Sequence, residues 1–214
     1  MMRVKRFECN MLQENCYVVN DEGGKCAIID CGAFTQEEQN AIVGYIRQEG
    51  LEPTHLLSTH GHLDHNFGNQ AMLTHFGLKT EIAAADKRML ENAGRQAQRF
   101  YGFDLPYTLP EAGNVLQDGD KIAVGSLTFE VIEVPGHSLG SVCFYEKAEG
   151  VLFSGDTLIK YSIGRTDLEG GSMMRIIQSL RRLAQLPDAT KVYPGHGPAT
   201  TIGDELAHNP FMDR

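Results

Sequence analysis

His60-Gly61-His62-Leu63-Asp64-His65 packs three imidazoles and one carboxylate into six residues, a density that ordinary core packing does not call for. Histidine and aspartate together form a donor set suited to zinc or iron. The run follows a β-rich segment, 54–59, and precedes a helical pattern, 66–76, that stops at Gly77. It therefore lies on a strand-to-helix loop. On an extended loop His60 and His62 can point the same way, and the turn into the helix swings Asp64 and His65 toward a second point. Two neighbouring cations can share that loop.

On the N-terminal side, 15–19 and 26–30 are β-rich runs separated by Gly23-Gly24, the pattern of a hairpin. Thr35 and Glu38 form a capping box that opens a helix carrying Ala41, Ile42, Tyr45 and Ile46, ended by Gly50. On the C-terminal side come a strand over 80–85, a charged surface helix over 86–100, and an irregular stretch, 101–113, with Pro106 and Pro110, long enough to wall or cover a site. Further β-rich runs occupy 121–134, 141–145 and 151–154. Ser172 then caps a helix with Met173, Ile176, Ile177, Leu180 and Leu183 on one apolar stripe, Met173 and Met174 being assigned to the core, and a last strand covers 191–193. Two rounds of strands followed by helices predict an α+β fold, a four-layer αββα sandwich with its site at one edge of the two sheets. No linker divides the chain, so 1–214 is expected to be one domain.

Three more ligand candidates follow strands: His137 in Val-Pro-Gly-His-Ser, Asp156 in Ser-Gly-Asp-Thr and His196 in Pro-Gly-His-Gly, each preceded by glycine. Asp30, after Ile28-Ile29, is a candidate partner for a metal-bound histidine. Asp118-Gly119-Asp120 has the composition of a turn. His55, His75 and His208 stand alone and are left out of the site.

Bulk properties narrow the field. The 214 residues include 42% hydrophobic ones, enough for a sizeable core. A net charge of -9 argues against a chain that works by neutralising nucleic-acid phosphates. Five cysteines without a C-x-x-C pair suggest free thiols in the cytoplasm. No signal-peptide core appears in 1–17, and no run approaches the roughly 20 apolar residues that cross a bilayer, so a membrane role is not expected.

The order T-H-x-H-x-D-H, G-H, G-D, G-H, spread over about Phe7 to Thr201, resembles the metallo-β-lactamase superfamily. The resemblance implies His60, His62 and His137 on one metal, Asp64, His65 and His196 on the other, and Asp156 bridging. With histidine at those five positions and no cysteine among the seven, the chain is more similar to glyoxalase II than to the β-lactamases, whose second site usually contains a cysteine. Gly155 to Ser172 and Gln13 to Val19 are also similar to the short bacterial relatives of the glyoxalase II branch.

That branch implies two divalent metal ions, zinc first, with iron or manganese also suited. It implies hydrolysis of a small-molecule thioester, S-lactoylglutathione or another S-acyl glutathione, by a metal-bridging hydroxide, with Asp64 and Asp156 as catalytic residues. Full-length glyoxalase II carries a helical domain after its last histidine that supplies basic residues to glutathione. Few residues follow His196, so that surface is expected to be missing, and Lys160, Tyr161, Arg165 and Tyr193 are candidate substitutes; a solvated loop and core aromatics is the plainer account of them. Rival readings are a mononuclear iron persulfide dioxygenase, resembled through Gly164 to Asp167, a hydrolase of another ester, lactone or phosphodiester, and a non-catalytic interaction module.

Overall fold

Glu14–Asn20 (β2) is buried at every position, yet its two faces meet different neighbours. Tyr17 and Val19 enter a core with Ile29, Leu57, Phe129, Phe144 and Phe153, whereas Cys16 and Val18 pack with Ile28, Ile42, Ile46 and Met72. A strand covered on both faces needs no polar alternate residues, and the middle of β2, Cys16 to Val19, is accordingly an unbroken apolar run.

In the computed structural model, which describes residues 1–213, the first sheet is ordered Arg3–Cys9 (β1), β2, Lys25–Ile29 (β3), Glu52–Leu57 (β4), Thr80–Ala83 (β5), Val115–Leu116 (β6). The second sheet likewise follows chain order from one edge: Lys121–Val124 (β7), Leu127–Glu133 (β8), Val142–Glu146 (β9), Val151–Gly155 (β10), Lys191–Pro194 (β11), Thr200–Thr201 (β12). Helices Gln36–Gln48 (α1) and Asn69–Phe76 (α2) cover the outer face of the first sheet. Ala84–Glu91 (α3) and Ala93–Gln96 (α4) follow β5, while Met173–Leu183 (α5) and Ile202–His208 (α6) cover the second sheet. The result is the expected αββα sandwich.

Strand direction gathers the site. β3 and β4 are parallel; β8 and β10 both run antiparallel to β9, and β10 runs parallel to β11. The C-terminal ends of β8, β10 and β11 therefore share one edge of the second sheet, and the loops that leave them can meet those leaving β3 and β4.

The hairpin of β2 and β3 forms with Tyr17 opposite Ile29, and the Thr35–Glu38 capping box opens α1. Two expectations need correction. The helix expected over 86–100 is broken: α3 ends at Glu91, Asn92 donates its side-chain amide to the Arg88 carbonyl at 2.9 Å, and a wide π-type turn over 97–101 ends at Gly102. Asp86 in it is buried. Met173 and Met174, expected in the core, are 48% and 69% exposed, because the stripe of α5 becomes buried only from Ile176 onward, where the helix lies over the second sheet. No helix among the described residues is long and apolar enough to cross a membrane.

His55 ties the two sheets together. Its Nδ1 donates to Glu81 at 2.5 Å and its Nε2 to the Ala123 carbonyl at 3.2 Å. Two acceptors require both ring nitrogens to carry protons, the imidazolium form. The hydrogen bond to Glu81 raises its pKa above the ordinary value, against the opposing effect of burial. Because the folded-state pKa is raised, this contribution is fully present below about pH 6.5 and is lost as pH rises through the folded value. His55→Gln is therefore expected to lower stability more at pH 5.5 than at pH 9, by at most about 1 kcal/mol for a half-buried group, measured by urea denaturation at both pH values; a pH-independent difference would remove the ionic account.

Candidate metal centre

The loop after β4 carries four of the seven residues singled out in the sequence, and three loops of the second sheet bring the others to it. Nδ1 of His62 lies 2.8 Å from Nε2 of His137, which lies 3.2 Å from Nε2 of His60. A second group places Oδ2 of Asp64 3.7 Å from Nε2 of His65 and 3.4 Å from Nε2 of His196. Asp156 stands between them, with Oδ2 3.7 Å from Nε2 of His137 and 3.6 Å from Nε2 of His196, and Oδ1 3.5 Å from Nε2 of His65.

The outer nitrogens of four rings are engaged, which leaves the inner nitrogens with free lone pairs. Nδ1 of His137 donates to the Arg165 carbonyl at 2.8 Å, Nδ1 of His196 to the Leu12 carbonyl at 3.1 Å, and Nδ1 of His65 to Oδ2 of Asp30 at 3.1 Å. Thr59 donates its hydroxyl to Asp30 at 2.7 Å, so the same oxygen accepts from Nδ1 of His60 at 3.0 Å. This pattern selects the tautomer a metal ligand needs. Burial pushes His62 down to about 4 and His60 well below the usual imidazole range, so both rings are neutral at pH 7. Burial alone would raise the Asp156 carboxyl, but the imidazoles around it, His65 first, hold it well below the usual carboxylate range.

Nε2 of His65 and Oδ1 of Asp156 are buried and have no hydrogen-bond partner among the described residues. Buried polar atoms are ordinarily satisfied, and a divalent cation satisfies both. The donor chemistry, the tautomers and these two atoms all fit metal ions held by this cluster.

Asp30, at the end of β3, is placed where the sequence suggested, 2% exposed and bonded to Thr59 and His65. Three further residues that hold the loop were not singled out. Asp86 accepts from the Gly61 amide at 2.9 Å, the Ser138 hydroxyl at 2.6 Å and the Gly140 amide at 2.7 Å, clamping the His60 loop to the His137 loop. Asn66 donates to the His60 and His62 carbonyls, and Gln96 bonds the Leu63 amide and the Gly61 carbonyl. Glu14 is fully buried behind His65, 3.8 Å from its Nδ1, and burial raises its carboxyl well above the usual range. Tyr101, from the stretch expected to wall the site, lies beside Asp64; burial first, then the Asp64 charge, raises its phenol.

The four candidate substrate residues are engaged with other partners. Lys160 and the Tyr161 hydroxyl meet Asp204 at 3.9 and 2.9 Å, Arg165 pairs with Asp167 at 2.8 Å, and Tyr193 stacks on Phe153 at 5.3 Å between the sheets.

The glycines before the second-sheet ligands serve different ends. Gly136 has φ of 146° and Gly155 has φ of 49°, conformations other residues rarely adopt. Gly195 is a matter of space: a Cβ there would lie 2.4 Å from Oδ1 of Asp156 and 2.6 Å from Cε1 of His65. Gly195→Ala is expected to displace both ligands and reduce turnover by about 100-fold while the thermal unfolding midpoint stays within a few degrees; normal turnover would show that the cluster tolerates the shift.

A model of the family described as "Metallo-beta-lactamase superfamily" matches residues 9–196. The chain belongs to the metallo-beta-lactamase superfamily. Within it, the chain is 35% identical to "Hydroxyacylglutathione hydrolase GloC" of Haemophilus influenzae, over 99% of each protein. Among solved structures, it is similar to BLEG-1 B3 metallo-beta-lactamase, at TM-score 0.88 and 35% identity over 99% of both chains. It is also similar to TTHA1623 in a di-iron-bound form, at TM-score 0.86 and 35% identity over 98% of this chain and 100% of the other. The metallo-beta-lactamase fold is thus shared by proteins of more than one described activity, and a cavity lies beside the cluster.

That cavity has a volume of about 340 Å³. His62 lines it, as do one face of α3 and α4 and, facing them, Leu139 and the loop 168–170.

Proposed function

We propose that the chain is a hydroxyacylglutathione hydrolase-like thioesterase, working with two divalent metal ions. The observation that carries this reading is the arrangement of seven side chains as two triads, His60, His62, His137 and Asp64, His65, His196, with Asp156 within reach of both. The 35% likeness to the GloC of Haemophilus influenzae supports the choice of substrate. Zinc is the first metal of the proposal; TTHA1623 with its two irons makes iron the competitor to test.

A cation pair held there supplies a Lewis acid for a carbonyl oxygen and lowers the pKa of water to about 7. The protein's part is to hold the donors in place. Asp30 and Thr59 orient His65 and His60, the Arg165 carbonyl orients His137, and Asp86 fixes the two histidine loops against each other. Asp64 directs Oδ2 toward His65 and His196, and its remaining carboxylate oxygen takes up the proton released on hydrolysis. A thiol leaving group has a reference pKa of about 8.5, so it departs as thiolate without a dedicated strong acid.

The test is metal analysis of the purified protein together with thiol release from S-lactoylglutathione and hydrolysis of a β-lactam. About two metals per chain with thioester turnover supports the proposal. One iron per chain with oxygen uptake on glutathione persulfide and no thioester turnover overturns it in favour of a dioxygenase, and faster β-lactam than thioester cleavage overturns it in favour of a lactamase.

A further inference from the structure

The segment 84–101 presents an unusual face to the cavity beside His62. Arg88, Arg95 and Arg99 all line it, and with Asn92 they recur at i, i+4, i+7 and i+11, the spacing of a single helical face that continues across the break between α3 and α4. Four arginines elsewhere pair with carboxylates: Arg6 with Glu8, Arg165 with Asp167, Arg181 with Asp213 and Arg182 with Asp118. None of the three cavity arginines pairs with a carboxylate among the described residues; Arg99 lies over the Phe100 ring, 5.3 Å from its centroid.

Three unpaired guanidinium groups in one cavity are unexpected in a chain of net charge -9. They make a local positive field at the mouth of a negatively charged molecule, which draws anions to that point. The guanidinium fork suits a carboxylate in particular, because it can donate two parallel hydrogen bonds. Asp86, also at the cavity, does not compete, since both its oxygens are bonded to the Gly61, Ser138 and Gly140 groups. Glu169 is the carboxylate that faces the arginines across the cavity. Met89, Leu139 and Leu168 supply apolar lining to the same cavity.

We propose that Arg88, Arg95 and Arg99 are the specificity-determining residues of this site, holding the carboxylate groups of an anionic thioester while its acyl carbon lies at the His62 end of the cavity. The proposal rests on the thioesterase reading above and moves substrate recognition to α3, α4 and the following turn, away from the loop of Lys160 and Arg165. Glu169 opposite limits the field, so that the site accepts a ligand carrying an ammonium group beside its carboxylates, as glutathione does.

The test separates recognition from chemistry by using a ligand with no bond to cleave. Binding of S-methylglutathione and of its dimethyl ester is measured by calorimetry on the metal-loaded wild-type protein, on a variant combining Arg88→Ala, Arg95→Ala and Arg99→Ala, and on Lys87→Ala, whose side chain is on the same helix but outside the cavity. The wild type and Lys87→Ala are expected to prefer the free acid by about tenfold or more, and the triple variant to bind the two alike. The same variant is expected to raise KM for S-lactoylglutathione at nearly unchanged kcat, and to leave turnover of an uncharged lactoyl thioester intact. A preference for the free acid that survives in the triple variant, or its absence in the wild type, overturns the proposal whatever the turnover. A preference lost in the triple variant, in a wild-type protein that releases no thiol, upholds the arginine site and overturns the thioesterase reading instead. Circular dichroism of the triple variant, with Arg88→Lys as the milder change, separates lost recognition from lost folding.

Discussion

Asp156→Asn is expected to leave a folded chain whose thiol release has fallen at least about a thousandfold. The carboxylate touches both halves of the cluster, with Oδ2 3.7 Å from Nε2 of His137 and 3.6 Å from Nε2 of His196. The amide has the same shape, but it is neutral and replaces one oxygen donor with an N–H group that cannot coordinate a cation. Metal content is expected to fall with activity, by about one equivalent per chain. The fold is spared because the amide matches the carboxylate in shape and volume, so the packing around position 156 is kept. Metal analysis and circular dichroism on the same preparation check both parts, and full turnover in the variant would dismiss Asp156 as the bridge.

Asp30→Ala has the second-largest expected effect, although Asp30 belongs to neither triad. Its carboxylate accepts from the Thr59 amide and hydroxyl at 2.7 Å each and from His65 at 3.1 Å. Truncation leaves three buried donors without an acceptor, a loss of about 3–5 kcal/mol. It also frees His60 and His65 to rotate, which typically weakens metal affinity by about 10- to 100-fold. Urea denaturation of chelator-treated protein reads the first effect and competition with a chromophoric chelator the second. Asp30→Asn retains an acceptor for Thr59 and should fall between; equal metal affinity in all three proteins would reduce Asp30 to a purely structural role.

The cluster was legible because its members are dense in sequence, four within six residues and three more each marked by a preceding glycine. The sandwich was legible for a related reason: apolar runs, turn glycines and the Thr35 cap each act locally. What stayed hidden depends on contacts across long sequence separations. Nothing near Asp86 distinguishes a loop clamp from a surface acid at a helix start, because its partners are the Gly61 and Gly140 amides and the Ser138 hydroxyl, on two other loops. The arginine face was hidden too, since 86–100 has the charge density of a solvated helix and only the opposing loop at 168–170 makes it a cavity wall. Met173 and Met174 failed for another reason: helical periodicity shows which side of α5 is apolar, but not how far the sheet beneath it extends.

The two sheets are built from consecutive stretches of chain, β1 to β6 and then β7 to β12, and the seven cluster residues divide between those stretches, four and three. Neither stretch alone carries a full coordination sphere. Catalysis by this fold is thus a logical conjunction, in which the output requires both inputs to be present and docked. A break in the turn 117–120, between β6 and β7, would yield two pieces, each owning one sheet, and turnover would then register their reunion: the architecture contains the elements of a split-enzyme reporter.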